Sequence, residues 1–203
     1  MLSEAVERFP VALKEWAVTV QALKEGKLML VMRKGGIVEE TRDFSLRSPG
    51  FYLMPAYEHQ KEHLLKEAHQ GQIQGTLEEW KQHPDTMVIE AYAEAVEDID
   101  ITDQETLNRL RDFHIWADDF AEERLKWKRT KPLHLLLLRV FRLDNPIELP
   151  LLPSFTGCKS WVQLAEETGT AEISALPVPS MKQVIPEPEL QAKIAEIKAA
   201  IAG

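Results

Sequence analysis

The sequence predicts an α+β domain built on a mostly antiparallel sheet, with helices on one face and an appended C-terminal helix. Residues 133–143, LHLLLLRVFRL, form a short apolar run between Pro132 and Asn145-Pro146, which is typical of a buried strand. Residues 86–97 alternate between apolar and polar side chains, as a half-buried strand does. The last residues carry one apolar stripe at helical spacing, formed by Leu190, Ile194, Ile197 and Ile201.

The other elements of the N-terminal half follow from local signals. Alternating apolar residues predict a strand over 16–22, and the apolar run 27–33 predicts the strand that returns from it. Gly35-Gly36 indicates a turn, because glycine tolerates the widest range of backbone angles. In chain order the predicted elements are a helix from Ser3 that ends before Pro10, the hairpin of 16–22 and 27–33, a strand at 51–54 that ends at Pro55, and a helix at 58–69.

Helices are predicted for much of the C-terminal half. Thr102-Asp103-Gln104-Glu105 has the capping-box pattern and predicts a helix through Phe113. A second helix is expected over 117–128, with Trp127 on its buried side, and a third from 161 to 167. For residues 86–97 a helix is the alternative to a strand, since alanine and glutamate also favour helices.

The pattern divides the chain into three parts. Residues 1–174 form a single α+β domain, residues 175–188 a proline-rich connector, and residues 189–203 an amphipathic helix. A helix this short is only marginally stable alone, so its apolar stripe must pack against something. Docking on its own domain is the first expectation, and docking on a second copy, which would make a homo-oligomer, is the alternative.

Composition indicates a soluble globular chain of 203 residues with a net charge of −9. No apolar window is long enough for a membrane span, and the only cysteine, Cys158, has no intramolecular disulfide partner. We therefore expect a cytoplasmic protein that does not bind membranes.

The charges are strongly segregated along the chain. Residues 85–123 contain thirteen acidic residues and two arginines, whereas residues 124–142 contain seven basic residues and no acidic one. Within the basic run we predict a weak nucleic-acid contact, in which cations bind phosphates and an aromatic ring stacks on a base, through Lys126, Trp127, Lys128 and Arg129. The alternative is that Trp127 is buried and the bases pair with the acidic run.

A small anion site is the second candidate. Its expected members are two cations beside exposed backbone amides and one guanidinium in an apolar strand, Arg33, Lys34, Gly35, Gly36 and Arg139. For the first four residues the alternative is a tight turn whose bases are solvated. For Arg139 the alternative is a carboxylate partner within the chain, because a buried guanidinium requires one.

A metal-dependent hydrolase is the third candidate. His59-Gln60-Lys61-Glu62-His63 fits H-x-x-E-H and resembles the inverzincin metallopeptidase signature, which on a helix places both imidazoles on one face. Carboxylates that converge beside a lysine are instead typical of a magnesium-dependent nuclease. The candidate metal ligands are Glu39, Asp43, Glu58, His59 and His63, and the candidate catalytic residues are Glu58, His59 and Lys61.

Three blocks of the sequence occur together in a known family. They are RKGGI at 33–37, FYLMPAYEHQ at 51–60, and LLLLRVFRLDNPIELPLLPSFTGCKSWVQL at 135–164. With these blocks the chain resembles, over residues 11–168, an uncharacterised bacterial family of domains of unknown function that is well represented in cyanobacteria. The resemblance implies no particular activity.

The residues favour a non-catalytic accessory or binding module associated with nucleic acid, because no complete catalytic set is visible. Such a module needs no cofactor. The alternative is a metal-dependent hydrolase or nuclease that uses Glu39, Asp43, Glu58, His59 and Lys61 and requires a divalent metal.

Overall fold

A computed structural model describes residues 11–34, 44–127, 131–157, 159–164 and 180–203. In these residues the chain forms a seven-stranded sheet and five α-helices. The strands are β1 (Val11–Trp16), β2 (Leu30–Arg33), β3 (Gly50–Ala56), β4 (Thr86–Ile101), β5 (Leu133–Pro150), β6 (Trp161–Gln163) and β7 (Met181–Gln183). The helices are α1 (Ala17–Lys24), α2 (Gln72–Gln82), α3 (Gln104–Arg109), α4 (Asp118–Lys126) and α5 (Glu187–Ala202).

The sheet is mixed but mostly antiparallel, and the predicted α+β class is confirmed. Its order is β2-β5-β4-β3-β1-β6, and β7 pairs with β5. Only β1 and β3 run parallel among the described strand pairs. The long strands β4 and β5 pair over almost their whole length, with two register shifts.

Two apolar cores hold this sheet. The larger core contains buried residues from all five α-helices, including Val18, Ile73 and Leu107. The smaller core contains Tyr52 and Met54 of β3 with residues of β4 and β5. Because successive side chains of a strand point to opposite faces, Ala12 joins the smaller core and Leu13 the larger one.

The predicted strand over 16–22 is wrong, because residues 17–22 belong to α1. Six of the eight residues of α1 are buried, and the other two, Gln21 and Lys24, are half-buried and lie at helical spacing. A segment buried on nearly every side satisfies both the helical and the alternating pattern, so periodicity cannot separate them. The predicted hairpin is therefore also wrong, because its first strand is a helix. The strand that precedes this helix, β1, pairs with β3 and β6 rather than with β2.

The predicted helix over 58–69 is also wrong. A turn at His59, whose φ is 64°, is followed by two 3-10 segments, Glu62–Leu64 and Glu67–His69. The next helix, α2, begins only after Gly71, whose φ is 86°. A left-handed residue cannot continue a right-handed helix, which removes the helical basis of the H-x-x-E-H motif.

Three predictions for the C-terminal half need correction. The helix expected from 161 begins instead as β6, since Trp161 and Val162 favour strands and pair with β1. Trp127 is 41% exposed rather than buried, because α4 ends at Lys126 and the tryptophan lies beyond the helix. In α3 the capping residue is Asp103, whose carboxylate accepts the Thr106 N–H at 2.8 Å.

The strand over 86–97 is confirmed within β4, and the apolar run 133–143 is confirmed within the longer β5. The C-terminal helix is confirmed as α5, and Leu190, Ile194 and Ile197 are buried in the larger core of their own domain. Residues 181–183 of the expected connector form β7. A homo-oligomer through α5 stays a prediction.

Several side-chain contacts fasten α5 to the domain. Arg139 pairs with Glu187 at 2.8 Å, and Lys198 pairs with Glu97 at 2.8 Å. Arg109 donates to the carbonyls of the last turn of the helix. Among the described helices, none has both the length and the apolar character required to cross a membrane.

Candidate anion-binding site

A cavity of about 300 Å³ lies at the C-terminal end of β1. Residues of β2, α4 and the segments after β3 and before β6 close around it. We call it the cationic pocket, and its lining residues are Lys14, Glu15, Trp16, Arg33, Lys34, Ala56, Glu58, His59, Arg124, Trp127, Gly157, Lys159 and Ser160.

An ion pair between Arg33 and Glu15 forms the floor of the pocket. Arg33 Nη1 lies 3.0 Å from Glu15 Oε2, and the two side chains are only 12% and 4% exposed. Arg33 Nη2 donates to the hydroxyl of buried Ser160. In the described part of the chain, Arg33 Nε is buried without a hydrogen-bond partner. The contacts with Glu15 and Ser160 therefore fix the guanidinium in place.

Two further cations of the pocket are held by main-chain carbonyls. Lys34 is buried and donates to the carbonyl of Leu125 in the last turn of α4, where helical carbonyls lack intrahelical partners. Arg124 Nη1 donates to the Met32 carbonyl at 3.1 Å, and its guanidinium lies 4.8 Å from the centre of the Phe120 ring. These partners orient the cations without neutralising their charge.

Desolvation acts on both of these cations. Burial lowers the pKa of Arg124 to about 10, an effect that nearby Glu15 opposes and nearby Arg33 reinforces. Burial also lowers the pKa of Lys34. With a pKa of about 10, Arg124 is still charged at neutral pH. The fold thus keeps positive charge where water solvates it poorly, which favours a bound anion.

The balance of charge in the pocket is positive although the chain carries a net charge of −9. Its described lining has two carboxylates, Glu15 and Glu58, and five cationic side chains, Lys14, Arg33, Lys34, Arg124 and Lys159. Buried Lys14 donates to the carbonyl of Gly157 at 2.7 Å. Since Glu15 is already paired with Arg33, the arrangement suits an anion with several acceptor oxygens, such as a phosphate group.

One wall of the pocket is the segment after β3. Glu58 Oε2 accepts a long hydrogen bond from the Gly157 N–H at 3.4 Å. His59 adopts a left-handed conformation that is uncommon outside glycine. Gln60 anchors the segment, since its Oε1 accepts the Val18 N–H in the first turn of α1 at 2.9 Å.

The pocket unites residues from three separate sequence predictions. Arg33 and Lys34 of the predicted anion site, Glu58 and His59 of the predicted hydrolase site, and Trp127 of the predicted nucleic-acid contact all line it. Trp127 is the large apolar residue most exposed in the described chain.

The other predicted residues lie elsewhere. Lys61 and His63 are exposed and do not line the pocket, and Lys126 pairs with Glu122 within α4. Arg139 donates to Glu94 at 3.1 Å and to Glu187 at 2.8 Å, so the guanidinium predicted for the anion site is occupied by carboxylates of its own chain. Gly35, Gly36, Glu39, Asp43, Lys128 and Arg129 lie outside the described residues.

Sequence reasoning missed much of the pocket, namely Lys14, Glu15, Lys159 and Ser160. One signal was present for the first two, because Lys14-Glu15 interrupts the apolar run that begins at Val11. Adjacent charged residues in an apolar strand indicate that their side chains are buried with partners, because burying an unpaired charge costs free energy. Lys159 and Ser160 had no comparable signal.

One metal-ligand geometry occurs among the described residues, and none of its members was predicted. Ligand atoms of Asp98, Asp100 and His134 lie within 4.8 Å of one another across β4 and β5. His134 Nδ1 lies 3.0 Å from Asp98 Oδ1, which a cross-strand polar contact explains.

Comparison with known proteins gives one match. A family model described as a domain of unknown function (DUF1802) matches residues 12–184, which include every lining residue of the cationic pocket. No curated protein and no solved structure matches the chain.

Proposed function

The chain belongs to the DUF1802 family of domains of unknown function, and we propose that it is a binding module for single-stranded nucleic acid whose cationic pocket binds a backbone phosphate. The observation that carries the proposal is the convergence of Arg33, Lys34 and Arg124 in one cavity, with Glu15 already paired. Main-chain carbonyls orient Lys34 and Arg124 but leave their charge to be balanced.

Trp127 supports nucleic acid over a free inorganic anion. The residue is 41% exposed and lines the same pocket as the cations. An exposed aromatic ring beside phosphate-binding cations is the arrangement on which unpaired bases stack, and each stacked base contributes about 1–3 kcal/mol. A cavity of about 300 Å³ is too small for a duplex but accommodates a phosphate with its sugar.

Fluorescence anisotropy with a labelled single-stranded oligonucleotide tests the proposal. Trp127→Ala and Lys159→Gln are each expected to weaken binding by about tenfold, or about 1.4 kcal/mol. Lys182→Gln, an exposed charge change on β7 outside the pocket, is the control and should leave the affinity unchanged. Equal affinities for all four proteins, or an absence of binding by the wild type, would reject the module.

A second candidate function is a metal-dependent phosphodiesterase at the same pocket. Glu58 and His59 favour it, because they line the same pocket as cations that could stabilise a phosphorane-like charge. Water would attack phosphorus, the bond to the leaving oxygen would break, and that oxygen would take up a proton. Oligonucleotide cleavage with Mg²⁺ or Mn²⁺ that is lost in Glu58→Gln supports this candidate, and an intact oligonucleotide after prolonged incubation excludes it.

A further inference from the structure

A second cavity, of about 240 Å³, lies on the other side of the chain at the end of β3 and just beyond it. Pro55 and Tyr57 line this cavity, whereas Ala56 and Glu58 line the cationic pocket. The alternation follows from the extended backbone, in which successive residues face opposite sides. Helices α1 and α2 and the facing parts of β4 and β5 complete the second cavity.

Its charge is opposite to that of the cationic pocket. Three carboxylates line it, Glu79, Glu90 and Glu148, together with one lysine, Lys24. Lys24 forms an ion pair with Glu90. Within the described ranges no ion pair joins Glu79 or Glu148 to a cation, so the lining carries more negative than positive charge. We call this cavity the acidic pocket.

An aromatic pair forms one wall of the acidic pocket. The rings of Tyr57 and Trp80 stack at a centroid distance of 5.2 Å with an interplanar angle of 11°. Burial, followed by the negative charges of Glu79 and Glu90, raises the pKa of Tyr57 to about 12. The phenol therefore stays neutral, and its ring lies within the field of two carboxylates.

We infer that the acidic pocket binds a small organic cation, an alkylammonium or alkylguanidinium group, between the Tyr57–Trp80 pair and the carboxylates of Glu79 and Glu148. A ring face attracts a cation through its quadrupole, and carboxylates add charge-assisted hydrogen bonds. An inorganic cation would gain little from the aromatic wall, and the size of the cavity excludes a large ligand. The inference is independent of nucleic-acid binding, because none of these residues lines the cationic pocket.

The test uses n-butylammonium and n-butylguanidinium as probes and 1-butanol as the uncharged analogue. Both cations are expected to shift the NMR signals of the Trp80 indole and the Tyr57 ring with millimolar affinity, and 1-butanol is expected to leave them unchanged. Glu79→Gln combined with Glu148→Gln should weaken the binding of the cations at least tenfold, or about 1.4 kcal/mol. Both glutamates are exposed, so the substitutions should not affect folding.

A matched control and a second variant make the test decisive. Glu189→Gln combined with Glu196→Gln, on the exposed surface of α5, removes two negative charges away from the pocket and should not change the affinity. Trp80→Leu removes one ring of the aromatic pair and should weaken the binding of both cations. Equal shifts with 1-butanol, no shift with either cation, or unchanged affinity in the double glutamine variant would each overturn the inference.

Discussion

Arg33 on β2 and Glu15 on β1 form an ion pair of 3.0 Å between two strands that are not neighbours in the sheet. Three strands, β5, β4 and β3, lie between them in the sheet order. The pair therefore links the β2 end of the sheet to the β1–β6 end, and Ser160 next to β6 accepts a further bond from Arg33. The cationic pocket lies over this connection.

Removing the carboxylate should destabilise the fold. In Glu15→Gln the partly buried guanidinium of Arg33 loses its counter-charge and faces Arg124, so the free energy of unfolding should fall by about 3 kcal/mol. Urea denaturation provides the measurement. Glu58→Gln, an exposed carboxylate of the same pocket, is the matched control and should change stability by less than about 0.5 kcal/mol.

The double variant Glu15→Met/Arg33→Met separates charge from packing. It removes both charges together and should recover most of the stability lost in Glu15→Gln, because replacing a buried ion pair by apolar side chains is often neutral. The same midpoint for the wild type and Glu15→Gln would show that the pair does not hold the two ends of the sheet together.

The left-handed backbone of His59 allows one prediction about stability and one about binding. Because its φ is 64°, a side chain with a Cβ is strained there, and His59→Gly should be more stable than His59→Ala by about 1 kcal/mol. Both variants remove the imidazole from the pocket wall, so they should bind the oligonucleotide equally. Thermal unfolding compares the two, and an alanine variant as stable as the glycine variant would mean that the strain is absent.

Acid should destabilise the protein through His114. Burial first, and then the charge of Lys66, lowers the pKa of His114 to about 4, and its Nδ1 has no hydrogen-bond partner among the described residues. In the unfolded chain the group titrates near its ordinary value of about 6.5. Above that pH both states are neutral. As the pH falls towards 4 only the unfolded state gains a proton, so stability is lost by up to about 3 kcal/mol.

Two measurements check the role of His114. An NMR titration of the folded protein should place its pKa near 4, and the free energy of unfolding should decrease between pH 6.5 and pH 4. Folded His114 that titrates near 6.5 would contradict the prediction.

Helix α5 should contribute directly to the stability of its own domain. Ile197 is 1% exposed in the larger core, so Ile197→Ala should cost about 2–4 kcal/mol. Ile201 lies on the same stripe but is only half-buried, so Ile201→Ala should lower the free energy of unfolding by less than Ile197→Ala does. Urea denaturation at several protein concentrations is the measurement. A loss that depends on concentration would instead assign the stripe to a second copy.

Sequence alone predicted the elements that have one dominant physical signal. The apolar run of β5 predicts a strand, and the single apolar stripe of α5 predicts a helix. Residues 17–24 are buried on almost every side and fit both a strand and a helix, so the choice depends on tertiary packing. At His59 the left-handed backbone conformation prevents a helix, and no residue type in the segment predicts that conformation.

The candidate site was predictable only in part. Arg33-Lys34 and Glu58-His59 are unusual residue pairs in the sequence, and both pairs line the pocket. Their partners come from distant parts of the chain, since Arg33 and Ser160 are 127 residues apart. Such a convergence depends on the strand order, in which β1 lies parallel to β3 and beside β6, and no local pattern encodes that order.

The salt dependence of oligonucleotide binding tests the central claim most directly. If the cationic pocket binds a phosphate, the logarithm of the affinity falls linearly with the logarithm of the KCl concentration, and Lys159→Gln reduces the slope by about 0.7. Lys182→Gln should leave the slope at its wild-type value. An affinity that does not change with salt, or a slope that is the same in Lys159→Gln, would contradict phosphate binding in this pocket.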